Sequence, residues 1–203
     1  AFLWNFGDNQ TNQLQEPAHF YAFPGTYNVT LTVYAFSGCA STSSRQVTVS
    51  PIPVANFGTD PICKDVNYQF RDSSTISNGS IEHWDWIISG IGSLDTVPNP
   101  SATFSDTGTY SVTLQIVSDI GCTNSITKNV HVYPQPVANF SFNPQFGNPP
   151  LDVQFTDFSQ GGNTYVWDFG DGSSFSSLHE PSHIYQDTGS FFIHQYVTNS
   201  YGC

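Results

Sequence analysis

The sequence predicts an all-β chain made of tandem β-sandwiches joined head to tail. Three observations carry this: one segment returns three times, the clearest strands alternate with period two, and no stretch shows a convincing 3.6-residue apolar period.

The returning segment aligns without a gap from Pro17 to Cys39, Pro100 to Cys122 and Pro181 to Cys203. Each copy keeps the same spacing from its Pro to its Gly (Gly25, Gly108, Gly189) and from that Gly to its Cys. Pro53-Val-Ala-Asn-Phe57 returns as Pro136-Val-Ala-Asn-Phe140. Trp4-Asn-Phe-Gly-Asp8 returns as Trp84-Asp-Trp-Ile-Ile88 and as Trp167-Asp-Phe-Gly-Asp171, which sets a period of about 80 residues. On this alignment Trp4, Trp84 and Trp167 are the expected central core aromatics. The boundaries follow: 1–52 is a partial repeat lacking its first strands, 53–135 is complete, and 136–203 lacks its last strand. The joints Ser50-Pro51-Ile52-Pro53 and Tyr133-Pro134-Gln135-Pro136 carry two prolines each, so they read as short, extended and stiff.

Within the repeat, Thr26–Tyr34 sends Tyr27, Val29, Leu31 and Val33 one way and Asn28, Thr30 and Thr32 the other. Tyr110, Val112, Leu114 and Ile116 repeat the apolar side. Further strands are expected at Val54–Phe57, Asn67–Phe70, His83–Ile88, Ala102–Phe104 and Ile126–Val132. About seven short strands per repeat suit an aligned two-sheet sandwich. Asp106-Thr-Gly-Thr-Tyr110 has the form of a tyrosine corner, and Tyr27 fits the same role. Phe191 keeps the ring there and loses the hydroxyl.

Composition narrows the function. Charged residues are only 10 % of the chain, and 16 carboxylates against four Lys and Arg leave a net charge of -12. Such a chain repels phosphate backbones, which excludes nucleic-acid binding. No apolar run is long enough to insert in a membrane, and no stretch has the form of a signal peptide. The chain, which holds no Met, is expected to be an internal piece of a longer protein.

Trp167-Asp-Phe-Gly-Asp-Gly172, followed by Pro181-x-His183-x-Tyr185 and Gly189, resembles the PKD (polycystic kidney disease) domain, an immunoglobulin-like sandwich. Repeat 2 departs from the motif, with Trp86-Ile-Ile-Ser-Gly90 in place of the turn and Ala102 in place of the His. The Gly-Cys strand end and the Pro-rich joint resemble PKD arrays of large Bacteroidetes surface adhesins. That resemblance implies a secreted, extracellular or cell-surface protein of bacterial outer-surface type, with adhesion or gliding motility as its function.

Cys39, Cys122 and Cys203 close the same strand of successive repeats, while Cys63 lies among the early strands of repeat 2. Cys63–Cys122 is therefore the expected disulfide within that repeat, worth roughly 4 kcal/mol in the chain-entropy picture, and it implies an oxidising compartment. Cys39 would need a partner upstream of Ala1, and no partner is evident for Cys203.

Nothing forms a Gly-x-Ser-x-Gly elbow, a His-Glu-x-x-His motif or a zinc-type cysteine spacing, so no enzyme is expected. His19 and His183 share one repeat position and read as structural. Asp168 and Asp171 read as turn formers, with weak Ca²⁺ binding as the alternative and no cofactor expected. Phe192, His194 and Tyr196 fall on the polar side of the long strand of repeat 3, while Gln195 takes the core position of Leu31 and Leu114. They form the candidate contact surface, against the alternatives of a register shift or coverage by a neighbouring domain. Expected partners are the neighbouring repeats, surface polysaccharide or other cell-surface proteins. The reading is a stiff structural or adhesive stalk, about 100 Å long for this window at ~3.3 Å per strand residue; the alternative is an accessory glycan- or protein-binding module of a secreted hydrolase.

Overall fold

The structure is a computed structural model that describes every residue except Asp95. It contains strands and no helix among the described residues. Repeat 1 supplies β1 (Phe2–Asn5), β2 (Thr11–Asn12), β3 (Gly25–Tyr34) and β4 (Ala40–Val49), joined in one sheet of order β2-β1-β3-β4. Repeat 2 supplies β5 (Ile62–Cys63), β6 (Asn67–Gln69), β7 (Ile81–Ile88), β8 (Gly92–Ser93), β9 (Ser101–Thr103), β10 (Gly108–Ser118) and β11 (Thr123–Tyr133). Its large sheet has the order β5-β11-β10-β7-β8, and β6-β9 forms the second layer. Val54–Phe57 adds only two isolated bridges to that layer, Val54 to Thr75 and Phe57 to Asp72. Repeat 3 supplies β12 (Phe140–Asn143), β13 (Leu151–Asp157), β14 (Thr164–Asp168), β15 (Ser182–Tyr185) and β16 (His194–Thr198). They form the layers β12-β13-β15 and β14-β16.

Repeat 2 shows what closes a unit. Phe57, Phe70, Trp86, Ile88, Phe104, Val112, Leu114, Ile116, Val130 and Val132 form one buried cluster drawn from both sheets. Repeat 3 has the smaller cluster Val153, Phe155, Trp167, Phe169 and Tyr185. A cleft of about 520 Å³ opens beside it between Phe142, Leu151, Tyr185, Phe191 and Ile193. In repeat 2, β11 covers the corresponding side by pairing with the whole of β10. Repeat 1 offers one layer only, and β4 is exposed over almost its whole length.

The core tryptophan of repeat 2 is Trp86, not Trp84. Trp4 lies opposite Leu31, Trp86 opposite Leu114 and Trp167 opposite Gln195 in the ladders. Trp86 and Trp167 are both fully buried, and each indole N–H donates to a carbonyl 11 residues on, Val97 and Leu178. Trp84 is only half-buried and donates instead to Asp72 at 2.8 Å. Two tryptophans two positions apart on one strand share a face, so composition cannot choose between them; the depth of the sandwich does.

The tyrosine corners form as expected. The Tyr27 hydroxyl donates to the Phe23 carbonyl (2.7 Å) and that of Tyr110 to the Asp106 carbonyl (3.1 Å). Phe191 instead stacks on Tyr185 with ring centres 4.5 Å apart. Each long strand ends in the same tight turn, in which the Gly before Cys takes a positive φ of 81 to 87° at Gly38, Gly121 and Gly202. An L side chain is strained in that region, which accounts for the recurrent Gly-Cys pair.

The expected Cys63–Cys122 bridge does not form; Cys63 is bonded to Cys203, 140 positions away in sequence. Strand direction is the reason. β5 pairs parallel with the end of β11, which places Cys63 opposite Tyr133, whereas Cys122 immediately precedes the start of that strand. Ten residues at about 3.3 Å each separate the two poles by some 33 Å, and a cystine tolerates a Cα separation of only about 7 Å. The Cα atoms of Cys63 and Cys203 are 5.5 Å apart. Cys39 and Cys122 are free thiols.

Trp86→Ala should destabilise repeat 2 by about 3–5 kcal/mol, and Trp84→Phe, which keeps the ring and loses one hydrogen bond, by about 1 kcal/mol. Urea denaturation followed by fluorescence distinguishes the two.

Candidate functional site

Because Trp167 faces Gln195 in the same register as its counterparts face leucine, β16 has not slipped. The residues alternating with Gln195 therefore point outward. Phe192 is 82 % exposed and Tyr196 59 %, and His194 is exposed as well. The His194 and Tyr196 rings stack at 6.5 Å with 21° between their planes. Across the ladder, Val166 lies opposite Tyr196 and Asp168 opposite His194. Gly170 supports the Phe192 end: at φ +75° a Cβ there would collide with the Phe192 carbonyl oxygen, so only glycine lets the turn close onto the strand. The equivalent positions in repeats 1 and 2 are Asn28 and Ser111, which gives repeat 3 alone this aromatic face. Flat rings with a polar rim can stack on sugar rings or on apolar side chains of a protein.

The inward face explains Gln195, a polar residue in a core row. Its amide donates to Asp157 at 2.6 Å, and Asp157 also accepts from the Ser159 backbone and hydroxyl and lies 2.8 Å from His179 Nε2. Burial raises the Asp157 carboxyl, but these bonds outweigh it and hold its pKa below the usual carboxylate value. In repeat 2 the same niche is filled differently, with Asp72 satisfied by Ser74 and by the Trp84 indole. Sequence reading missed this carboxylate. An aspartate followed two residues later by Ser, present as Asp72-Ser-Ser74 and Asp157-Phe-Ser159, was the available signal.

The recurrent histidines also close turns. His183 Nε2 lies 2.7 Å from Asp171 Oδ2 while its ring stacks on Phe169 at 4.1 Å, and His19 repeats this with Asp8 (2.8 Å) and Phe6 (3.9 Å). The Tyr185 hydroxyl donates to the Phe169 carbonyl; burial first, then Asp171 and Asp168, push it up to about 12. Asp168 accepts the Gly170 amide and Asp171 the Ser173 amide. Both carboxylates that sequence offered to Ca²⁺ are thus engaged in the turn, and no group of three or more His, Cys, Asp or Glu is poised for a metal among the described residues. Burial raises Asp171, yet bonds from Ser173 and His183 prevail and hold it at about 2.

The residues of the joint between repeats 2 and 3 converge. Beside the Cys63–Cys203 bond, Tyr133 and Tyr201 stack with ring centres 3.5 Å apart. The Asn199 amide donates to the Pro134 carbonyl (2.9 Å), and the Gln135 amide to the Lys64 carbonyl (2.7 Å). At the joint between repeats 1 and 2 the corresponding residues are Ser50, Pro51, Ser118 and Ile120, and a cleft of about 440 Å³ lies between Pro24, Val49, Pro51, Asn78 and Asp119.

Comparison with known proteins accords with this architecture. The PKD domain profile matches residues 1–49, 50–134 and 131–203. The chain is 29 % identical over 133 residues to the pre-pro-metalloprotease PrtV of Vibrio cholerae, which covers 64 % of the chain and 14 % of that protein. It is 43 % identical over 53 residues to the collagenase ColA of Bacillus cereus, covering 26 % of the chain and 6 % of that protein. The matched stretch is thus a small part of each relative. Among solved structures, the PKD1 domain of Vibrio anguillarum Epp aligns with 27 % identity and a TM-score of 0.37, covering 42 % of the chain and 99 % of that domain.

The Asp171 contribution should be complete above about pH 3.8, because the folded carboxyl titrates lower than the unfolded one, and should fade as pH falls towards 2. Thermal melts of the wild type and Asp171→Asn between pH 2 and 7 should converge at the acid end. Peptide mapping without reductant should recover Cys63 linked to Cys203, with Cys39 and Cys122 open to alkylation.

Proposed function

The chain belongs to the PKD domain family, and on that premise we propose that it is a non-catalytic, stiffened spacer of an extracellular protein, holding other parts of that protein apart. The observation that carries this reading is the joint between repeats 2 and 3. A cystine, a tyrosine stack and two amide–carbonyl bonds span a proline-rich link that a flexible tether would leave free. A cystine of this kind persists outside the cytosol, which supports an extracellular location. The profile matches account for the whole chain, leaving no separate catalytic domain within it. Adhesion and gliding motility are the specific roles that a surface stalk of this build would serve.

A second reading is favoured by a separate observation. Relatives named as a metalloprotease and a collagenase carry the similar stretch, and repeat 3 presents Phe192, His194 and Tyr196 outward. In that reading the repeats are an accessory module, and the aromatic face grips polysaccharide or protein near a hydrolase.

Small-angle scattering tests the first reading: the oxidised chain should give a narrow distance distribution, and Cys203→Ser should broaden it by loosening repeat 3. A broad distribution in the oxidised chain would refute the spacer. Binding to immobilised fibrillar collagen and to a panel of polysaccharides tests the second. Phe192→Ala with Tyr196→Ala should lower any retention at least tenfold without changing the melting temperature by more than a few degrees.

A further inference from the structure

From the connectivity of the cystine we infer that β6 to β16 are held out of the load path, so that tension along the chain bypasses them through one covalent bond. The inference takes the spacer reading as its premise. Cys63 and Cys203 are 140 positions apart, so 139 residues lie between them, and these take in β6 to β16 and the joint between repeats 2 and 3. Tension between Ala1 and Cys203 runs along residues 1–63 and crosses the sulfur bridge to Cys203. It does not pass through β6 to β16. A bond inside one repeat would shelter strands of that repeat alone; this one encloses strands of two repeats and the joint between them.

The geometry divides the chain into parts of unequal resistance. On the loaded side, repeat 1 is a single sheet. The segment Val54–Phe57 ahead of β5 is held by the Val54–Thr75 pair of backbone bonds, the Ser73 amide on the Asn56 carbonyl, and Lys128 Nζ on Asn56 and on the Phe57 carbonyl. On the sheltered side lie both buried clusters except for Ala55, Phe57 and Ile62. Residues 1–63 are therefore the extensible part, and the cystine stops their extension from reaching the rest. The bond also lies where tension would otherwise separate the units, since the turn that ends at Cys203 sits against the end of β11.

Single-molecule pulling of the full chain from its two ends tests this. Unfolding of the oxidised chain should release only the length of residues 1–63. Dithiothreitol, or Cys203→Ser, should add about 500 Å of contour length at some 3.6 Å per residue for the 139 sheltered residues. A chain with the alternative Cys63–Cys122 bond would shelter 58 residues and gain only about 210 Å on reduction. Equal lengths before and after reduction, or the shorter gain, would overturn the bypass. Neither result bears on stiffness, which scattering reads separately, so the bypass can fail while the spacer reading stands.

Discussion

The length of the segment that runs from its opening glycine to the Gly-Cys turn is the constraint on which the rest depends. The spacing from the glycine that opens it to the cysteine that closes its turn is the same in all three repeats, Gly25 to Cys39, Gly108 to Cys122 and Gly189 to Cys203. In repeat 2, β10 and β11 remain paired from Gly108–Val132 to Val117–Thr123 without interruption. A strand of that length runs the full height of a sandwich, so the turn is carried to the pole facing the preceding repeat. The end of β11 and the short strand β5 lie at the opposite pole. The two ends of a unit thus carry different chemistry, and stacking units in line brings the turn of one onto the strand end of the one before.

Each pole is finished by groups that satisfy one another. The glycine-cysteine turn hydrogen-bonds to itself, with the Asn199 side chain capping the Tyr201 and Cys203 amides before its own amide reaches Pro134. The histidine–aspartate pair under the Phe-Gly-Asp turn satisfies a carboxylate that is 18 % exposed and a ring packed on Phe169. Repeat 2 lacks that pair and keeps the fold. There the Ser89 amide donates to the Ser111 carbonyl and its hydroxyl accepts the Ser111 amide, and Ala102 is buried. The turn motif therefore tunes one loop of the sandwich, while the buried Trp and its partner across the ladder define the unit.

The two joints of the chain are not equivalent, although their sequences look alike. Both carry paired prolines. Only the second has aromatic residues at the two facing positions, Tyr133 and Tyr201, and a cysteine on each side. The contacts that tie neighbouring units are thus a local matter of each joint's facing residues and do not follow from the proline spacing alone.

Much of this was legible in the sequence. Periodicity alone marked the repeats, the all-β class, the long strands and the tyrosine corners, because period two and recurrent turn residues are local signals. The outward placement of Phe192, His194 and Tyr196 followed from the same alternation, since the register of a strand determines which side chains share a face. Only the tertiary structure decided between Trp84 and Trp86, because both share a face and differ in their depth within a sandwich whose second layer comes from elsewhere in the chain. It also decided the partner of Cys63. Sequence order suggested the cysteine of the same repeat, but disulfide formation depends on distance in space, and strand direction had carried that cysteine to the far pole while bringing one 140 positions away into reach.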